Sequence, residues 1–216
     1  MSGNTDSVPF DGGYPEPGGR APAPAPLRLA QLFVNTADRE GGTDALGKPG
    51  DLAAWLAGYG LVEKGARATA EDLMLALDLR EGLRSLFLTH HDGAHGDHGD
   101  TNDDGERSHG IPAADTADGL HRLDRALGQL PVRVAVSGGA PRVEPATQPP
   151  VRTALARIGA VLVSADPSQL SRLKACRRDV CRWVFFDASR NRGGTWCAME
   201  ICGARTKMRT YRRRST

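Results

Sequence analysis

Four cysteines in the last fifth of the chain are the residues best suited to chemistry: Cys176, Cys181, Cys197 and Cys202. They form two C-x4-C pairs separated by fifteen residues, and the chain has no other cysteine. Each pair can supply two thiolates from one turn, and a finger-length insert can fold back to bring the pairs together. That is what tetrahedral zinc coordination requires. Four thiolates leave no coordination position for an exchangeable water, so one structural rather than catalytic Zn2+ is the expected cofactor. The module has about 40 residues, too few for a sufficient core, and metal binding contributes roughly 10–16 kcal/mol of apparent free energy to such units. A disulfide framework and a redox switch built on zinc release are the competing readings.

The residues around the cysteines are basic. From Arg172 onward the chain carries 13 Lys and Arg against 3 Asp and Glu, a formal +10, while the remainder holds 15 and 23, a formal −8. A zinc held by four thiolates subtracts about two charges and leaves the tail strongly positive. Such a split points to a nucleic-acid or other polyanionic partner. Gly203 to Arg214 reads as a basic helix fixed to the second cysteine pair. Arg205, Lys207 and Arg209 would be placed by the metal site, with Arg212, Arg213 and Arg214 as looser phosphate contacts. Arg190 and Arg192 in the insert complete the candidate nucleic-acid-binding set. A frayed, solvated terminus is the alternative. Within the insert, Trp183 to Asp187 has strand character and supplies a miniature core with Trp196, while Asp187 and Ser189 can bond the turn around Asn191 to Gly194.

The elements that must carry this module are mostly helical. Residues 1–26, rich in Gly, Pro and Ala, read as a disordered leader. A first helix starts at Leu27, with Leu29, Leu32 and Phe33 at helical spacing, and the run continues through Val34-Asn35-Thr36-Ala37. Asp51 looks like the N-cap of a second, with Leu52, Trp55, Leu56 and Tyr59 as its stripe. Thr69 to Asp72 fits a capping box opening a third, whose apolar face includes Leu75, Leu79, Leu83 and Leu86. Residues 90–115 hold five of the six histidines amid Asp and Gly and read as a mobile insertion, in which weak metal binding is the sharper alternative. A fourth helix buries Leu120, Leu123, Leu127 and Leu130 and leaves His121 on its surface. Val132, Val134 and Val136 alternate into a hairpin turned by Gly138-Gly139. A fifth helix, Val151 to Val163, is buried through Leu155, Ile158 and Leu162. After Asp166-Pro167, a short helix from Gln169 to Lys174 is expected to deliver Cys176. The fold class is therefore mainly α: an N-terminal helical domain (27–165) with one small β-hairpin, then a four-cysteine zinc-finger module (170–214) ending in a basic helix.

These residues resemble the bacterial CGNR zinc-finger family, in which the finger follows a mostly helical ABATE domain. In the finger the resemblance rests on Leu173-Lys174, Trp183 to Asp187, Ser189, Trp196-Cys197-Ala-Met199, Cys202-Gly203, Arg205 and Lys207. The N-terminal match rests on Phe33-Val34-Asn35-Thr36, Asp51-Leu52, Trp55-Leu56, Leu79-Arg80-Glu81 and Leu83-Arg84. The resemblance implies a stress-induced transcriptional regulator whose finger binds DNA. Two positions depart from the family pattern. Ala204 stands where asparagine is usual, and Gly193-Gly194-Thr195 replaces basic residues, which predicts a more mobile, less charged loop.

The expected function is a DNA-binding transcriptional regulator whose helical domain senses a small-molecule or protein effector. An RNA- or ribosome-binding zinc protein and a protein-interaction finger are the alternatives. No nucleophile-base motif, phosphate loop or HExxH occurs, so the chain is not expected to be an enzyme. With no run of about 18 apolar residues and no signal-like N-terminus, a cytoplasmic protein without a membrane partner is expected.

Overall fold

The computed structural model describes residues 16–91, 113–146 and 148–208. Its architecture is mainly α, built around helix α3 (Ala70–Thr89). The capping box forms as its sequence demands: Thr69 Oγ1 accepts the Asp72 N–H at 3.1 Å, and Asp72 Oδ2 accepts the Thr69 N–H at 2.9 Å. Helix α4 (Ala113–Gly128) lies along α3. Glycine lets the two approach, since a Cβ on Gly82 would stand 2.7 Å from Cα of Leu123. Helices α1 (Leu27–Val34), α2 (Pro49–Gly58) and α5 (Pro150–Ser164) each pack on α3 and close the core. Phe33, Leu52, Leu56, Leu79, Leu83, Leu155 and Ile158 are all fully buried there. No helix among the described residues is long and apolar enough to cross a membrane.

Two local expectations shift, and a third holds. Helix α2 starts at Pro49, so Asp51 lies within the first turn and accepts the Lys48 N–H at 3.1 Å rather than capping from outside. Helix α1 stops at Val34, and strands β1 (Ala37–Asp38) and β2 (Thr43–Asp44) form a second small hairpin before α2. The expected hairpin, β3 (Val132–Ser137) with β4 (Ala140–Pro145), pairs Val134 with Val143 about a turn in which Gly138 and Gly139 both have positive φ. That left-handed backbone is what the Gly-Gly turn supplies.

The largest differences concern what joins the helices to the finger. Helix α6 (Pro167–Leu170), capped by Asp166, is only four residues long. Leu173–Ala175 is strand β5, not helix, and pairs antiparallel with β6 (Val184–Phe186), Leu173 opposite Phe186. Period two explains it: Leu173 and Ala175 enter the helical core while Lys174 points the other way. Val184 and Phe186 enter the same core, so packing runs unbroken across residues 164–170, where the sequence suggests a boundary.

Residues 16–26, expected as part of the leader, are a strap across the molecule. Ala23 is buried, with its N–H donated to Gln31 Oε1 at 2.9 Å, and Glu16 pairs with Arg28. Backbone and polar contacts, which composition does not reveal, hold this stretch. His90 and His91, at the start of the expected insertion, share hydrogen bonds with the carbonyls of Leu173 (2.8 Å) and Ala175 (2.7 Å). Residues 1–15 and 92–112, including His95, His98 and His109, lie outside the described residues. His121 is exposed on α4, as expected.

Candidate metal centre and its basic face

Strand β5 ends one residue before Cys176, and the chain turns through Arg177 to Val180 to present Cys181 beside it. The turn closes with the Cys181 N–H donated to Arg178 O at 2.9 Å. Arg182 then takes a left-handed conformation (φ 54°), unusual for a side chain of its size. Its guanidinium holds the turn by donating to Arg177 O at 3.1 Å and pairing with Asp179. Of the second pair, Cys197 precedes and Cys202 lies on a π-helical turn, Met199–Gly203, at whose start Cys202 and Gly203 both donate their N–H groups to Ala198 O.

All four cysteines are buried, and their sulfurs lie within 4.8 Å of one another. Cys181 and Cys197 sulfurs are 3.7 Å apart, and those of Cys197 and Cys202 are 3.6 Å apart. Thiolates around one zinc at about 2.3 Å stand about 3.8 Å from each other in a tetrahedron. A disulfide needs about 2.05 Å, and no pair is bonded. The donor set fits one structural zinc.

Electrostatics argue the same way. Hydrogen bonds from the Cys181 and Cys197 sulfurs hold the Cys176 thiol at about 4, far below the ordinary thiol range. The thiolate so formed, by the same hydrogen bonds, pushes Cys181 and Cys197 up, and burial raises Cys202. The cluster therefore accommodates one negative charge and resists three more. A dication is what lets all four ionise together.

The insert is held by a buried ion pair that sequence reasoning half anticipated. Asp187 bonds the turn as expected, accepting the Gly194 N–H at 2.7 Å, and it also accepts from the Ser189 N–H and hydroxyl. Its unforeseen partner is Lys174, fully buried, whose Nζ lies 3.0 Å from Asp187 Oδ2 and also donates to Arg192 O. A Cβ on Gly194 would stand 2.8 Å from the Asp187 carboxylate. Glycine at this departure from the family pattern is thus a tied point of the loop.

The candidate nucleic-acid contacts divide. Arg190, Arg205 and Lys207 are exposed, and Arg192 is half-buried in a left-handed turn. Residues 204–208 continue from the π turn as a helix, with Thr206 Oγ1 donated to Cys202 O at 2.8 Å. Arg209, Arg212, Arg213 and Arg214 lie outside the described residues. Ala204 is exposed, so its side chain holds no part of the fold together.

Several residues that fix the finger went unrecognised because their partners are far away in sequence. Asn35 Nδ2 donates to Val184 O, and Val184 N–H donates to Asn35 Oδ1, both at 2.8 Å. Buried Arg84 donates to Arg182 O and Val34 O, both at 2.8 Å, and pairs with Glu81. Arg20, from the strap, donates to Cys197 O and Trp196 O at 2.7 Å and lies 4.3 Å over the Phe185 ring. Arg178 bonds Glu40 and points a guanidinium N–H at Cys202 sulfur, 3.9 Å away.

Comparison with known proteins agrees with this division of labour. A family model described as "CGNR zinc finger" matches residues 172–215. The ABATE model, described as "Putative stress-induced transcription regulator", matches residues 27–176. The two matches overlap on the strand that leads into Cys176. No curated protein matches the chain.

Proposed function

The chain belongs to the ABATE family and carries a CGNR zinc finger, and we propose that it is a cytoplasmic transcription regulator that grips duplex DNA through that finger. The observation that carries the reading is the closed metal centre with exposed Arg205 and Lys207 on the helix that continues from its last turn. A structural zinc that performs no chemistry has value as a mount for what projects from it. In a segment of formal charge +10, that mount serves phosphate contact. Trp183 and Trp196 are half-buried against the cysteines, which makes these two residues poor stacking platforms for single-stranded RNA. Duplex backbone is the better match.

The helical domain supplies the regulatory side of the proposal. An open cavity of about 920 Å³ lies between the β1–β2 loop, α3, α4 and the first cysteine turn. Arg39, Arg122, Asp118, Asp179 and Arg182 line it, so a small polar effector seated there would touch both the helical domain and the finger. No catalytic step is part of the reading.

The test is retention of duplex DNA by the zinc-loaded full chain across a salt series. Binding should weaken steeply, each neutralised phosphate adding about 0.9 to the log–log slope. Arg205→Ala combined with Lys207→Ala should lower that slope by about two phosphate equivalents. Salt-insensitive retention, or a double variant that matches the parent, rules the reading out.

A further inference from the structure

We propose that Arg178 and Arg205 together form a phosphate subsite on the finger, and that Glu40 of the helical domain occupies it in cis as a phosphate surrogate. The inference rests on the DNA-binding reading above and adds to it a resting state in which the chain holds its own phosphate contact closed.

The geometry is one carboxylate shared by two guanidinium groups. Glu40 Oε2 accepts from Arg178 NH1 at 2.5 Å, and Glu40 Oε1 accepts from Arg205 NH1. The two arginines come from opposite halves of the finger. Arg178 lies between the cysteines of the first pair, and Arg205 follows the last cysteine by three residues. They converge where the two cysteine pairs come together. Arg178 is tied to that centre through its contact with Cys202 sulfur. Two guanidinium groups bridged by the two oxygens of one anion is the arrangement that suits the non-bridging oxygens of a phosphodiester.

Glu40 is placed to leave. It stands at the tip of the β1–β2 loop, followed by Gly41 and Gly42, the latter at positive φ. Its side chain is 32% exposed and Arg205 is 55% exposed, while Arg178 at 15% is the sheltered, fixed member of the pair. DNA would therefore meet Arg205 first and reach Arg178 as Glu40 swings away. The Arg205–Glu40 pair is exposed, and pairs of that kind contribute little to stability, so this half of the contact is weak as a fastener and effective as a competitor. Arg39 and Gly42, on either side of Glu40 in the same loop, line the 920 Å³ cavity, so a ligand seated there would bear on the loop that carries Glu40.

The experiment compares the zinc-loaded full chain, Glu40→Gln, Arg205→Ala and the double variant in duplex retention over a salt series, with zinc content measured on every sample. Glu40→Gln should tighten binding roughly three- to tenfold at moderate salt and steepen the slope by up to about one phosphate equivalent. Glu40→Ala should do the same. In the Arg205→Ala background the gain from Glu40→Gln should shrink by half or more, because one of the two cations it uncovers is gone. If Glu40→Gln and Glu40→Ala bind like the parent while the parent still binds in a salt-sensitive way, the subsite is wrong and the DNA reading stands. An undiminished gain in the Arg205→Ala background means the effect is net charge alone, which also overturns the subsite. Absence of salt-sensitive binding by every variant removes the DNA reading, and the subsite with it.

Discussion

Asp187 has no exposure to water yet accepts from Lys174 Nζ, the Ser189 N–H, the Ser189 hydroxyl and the Gly194 N–H. Burial pushes its carboxyl up, but the hydrogen bonds from Ser189, Lys174 and Gly194 outweigh it and hold the group at about 2. Asp187→Asn keeps the shape but leaves Lys174 charged and buried without its counter-ion, a loss of about 3 kcal/mol or more. The guanidinium midpoint of the zinc-loaded variant should fall accordingly. Because the folded value lies below the ordinary 3.8, this stabilisation is complete above that pH and is lost only as pH falls from there towards 2. The gap between parent and variant should therefore be the same at pH 7 and pH 5.5, and a gap that closes between those values contradicts the assignment. Half of this cluster is legible in sequence. Asp187 with Ser189 follows from short-range turn chemistry, whereas Lys174 looks like one more surface cation until strand β5 fixes which way it points.

Among the elements, the three residues of β6 serve two cores. Val184 and Phe186 pack with the helices, and Phe185 packs with the cysteines beneath Arg20. The edge of β6 is finished by a side chain, since the Asn35 amide pairs with both polar groups of Val184 as a neighbouring strand would. Asn35→Ala should leave the Val184 N–H without its partner and the Val184 carbonyl with only the longer bond from Gln31 Nε2 at 3.4 Å, at about 1–3 kcal/mol in total. The Val184 amide should exchange with solvent faster by a factor of ten or more, while exchange in the middle of α3 changes only as global stability does. An unaltered Val184 amide would show that the strand edge does not depend on Asn35. The helices themselves are readable from periodicity because each apolar stripe repeats within one segment, as with Leu75, Leu79 and Leu83. Asn35 and Val184 are 149 residues apart, and nothing in either segment names the other. The same holds for β5, whose three residues are too few to establish a period, and for the strap, whose Pro- and Ala-rich composition conceals Arg20.

At the scale of the molecule, the finger is chemically distinct from the helical domain but shares its core. Leu173, Val184 and Phe186 give that core side chains worth about 1.5–3 kcal/mol each, roughly 5 kcal/mol or more in all. Single domains are stable by only about 5–15 kcal/mol, so the helical part cannot lose the β5–β6 pair and remain as it is. Zinc therefore supports both halves. Removing one ligand by Cys197→Ser also disturbs the carbonyl that anchors Arg20 of the strap, and with it the tie back to α1. The expected outcome is a fall of at least several degrees in the midpoint at which far-UV circular dichroism reports loss of helix, with chelation of the parent giving the same shift. Tryptophan fluorescence, which samples Trp183 and Trp196 beside the metal and Trp55 in α2, should change in the same transition. An independent finger would behave otherwise: fluorescence would change on chelation while the helical midpoint stayed at its zinc-loaded value. That result would sever the mechanical link through which an effector on the helices could act on the finger.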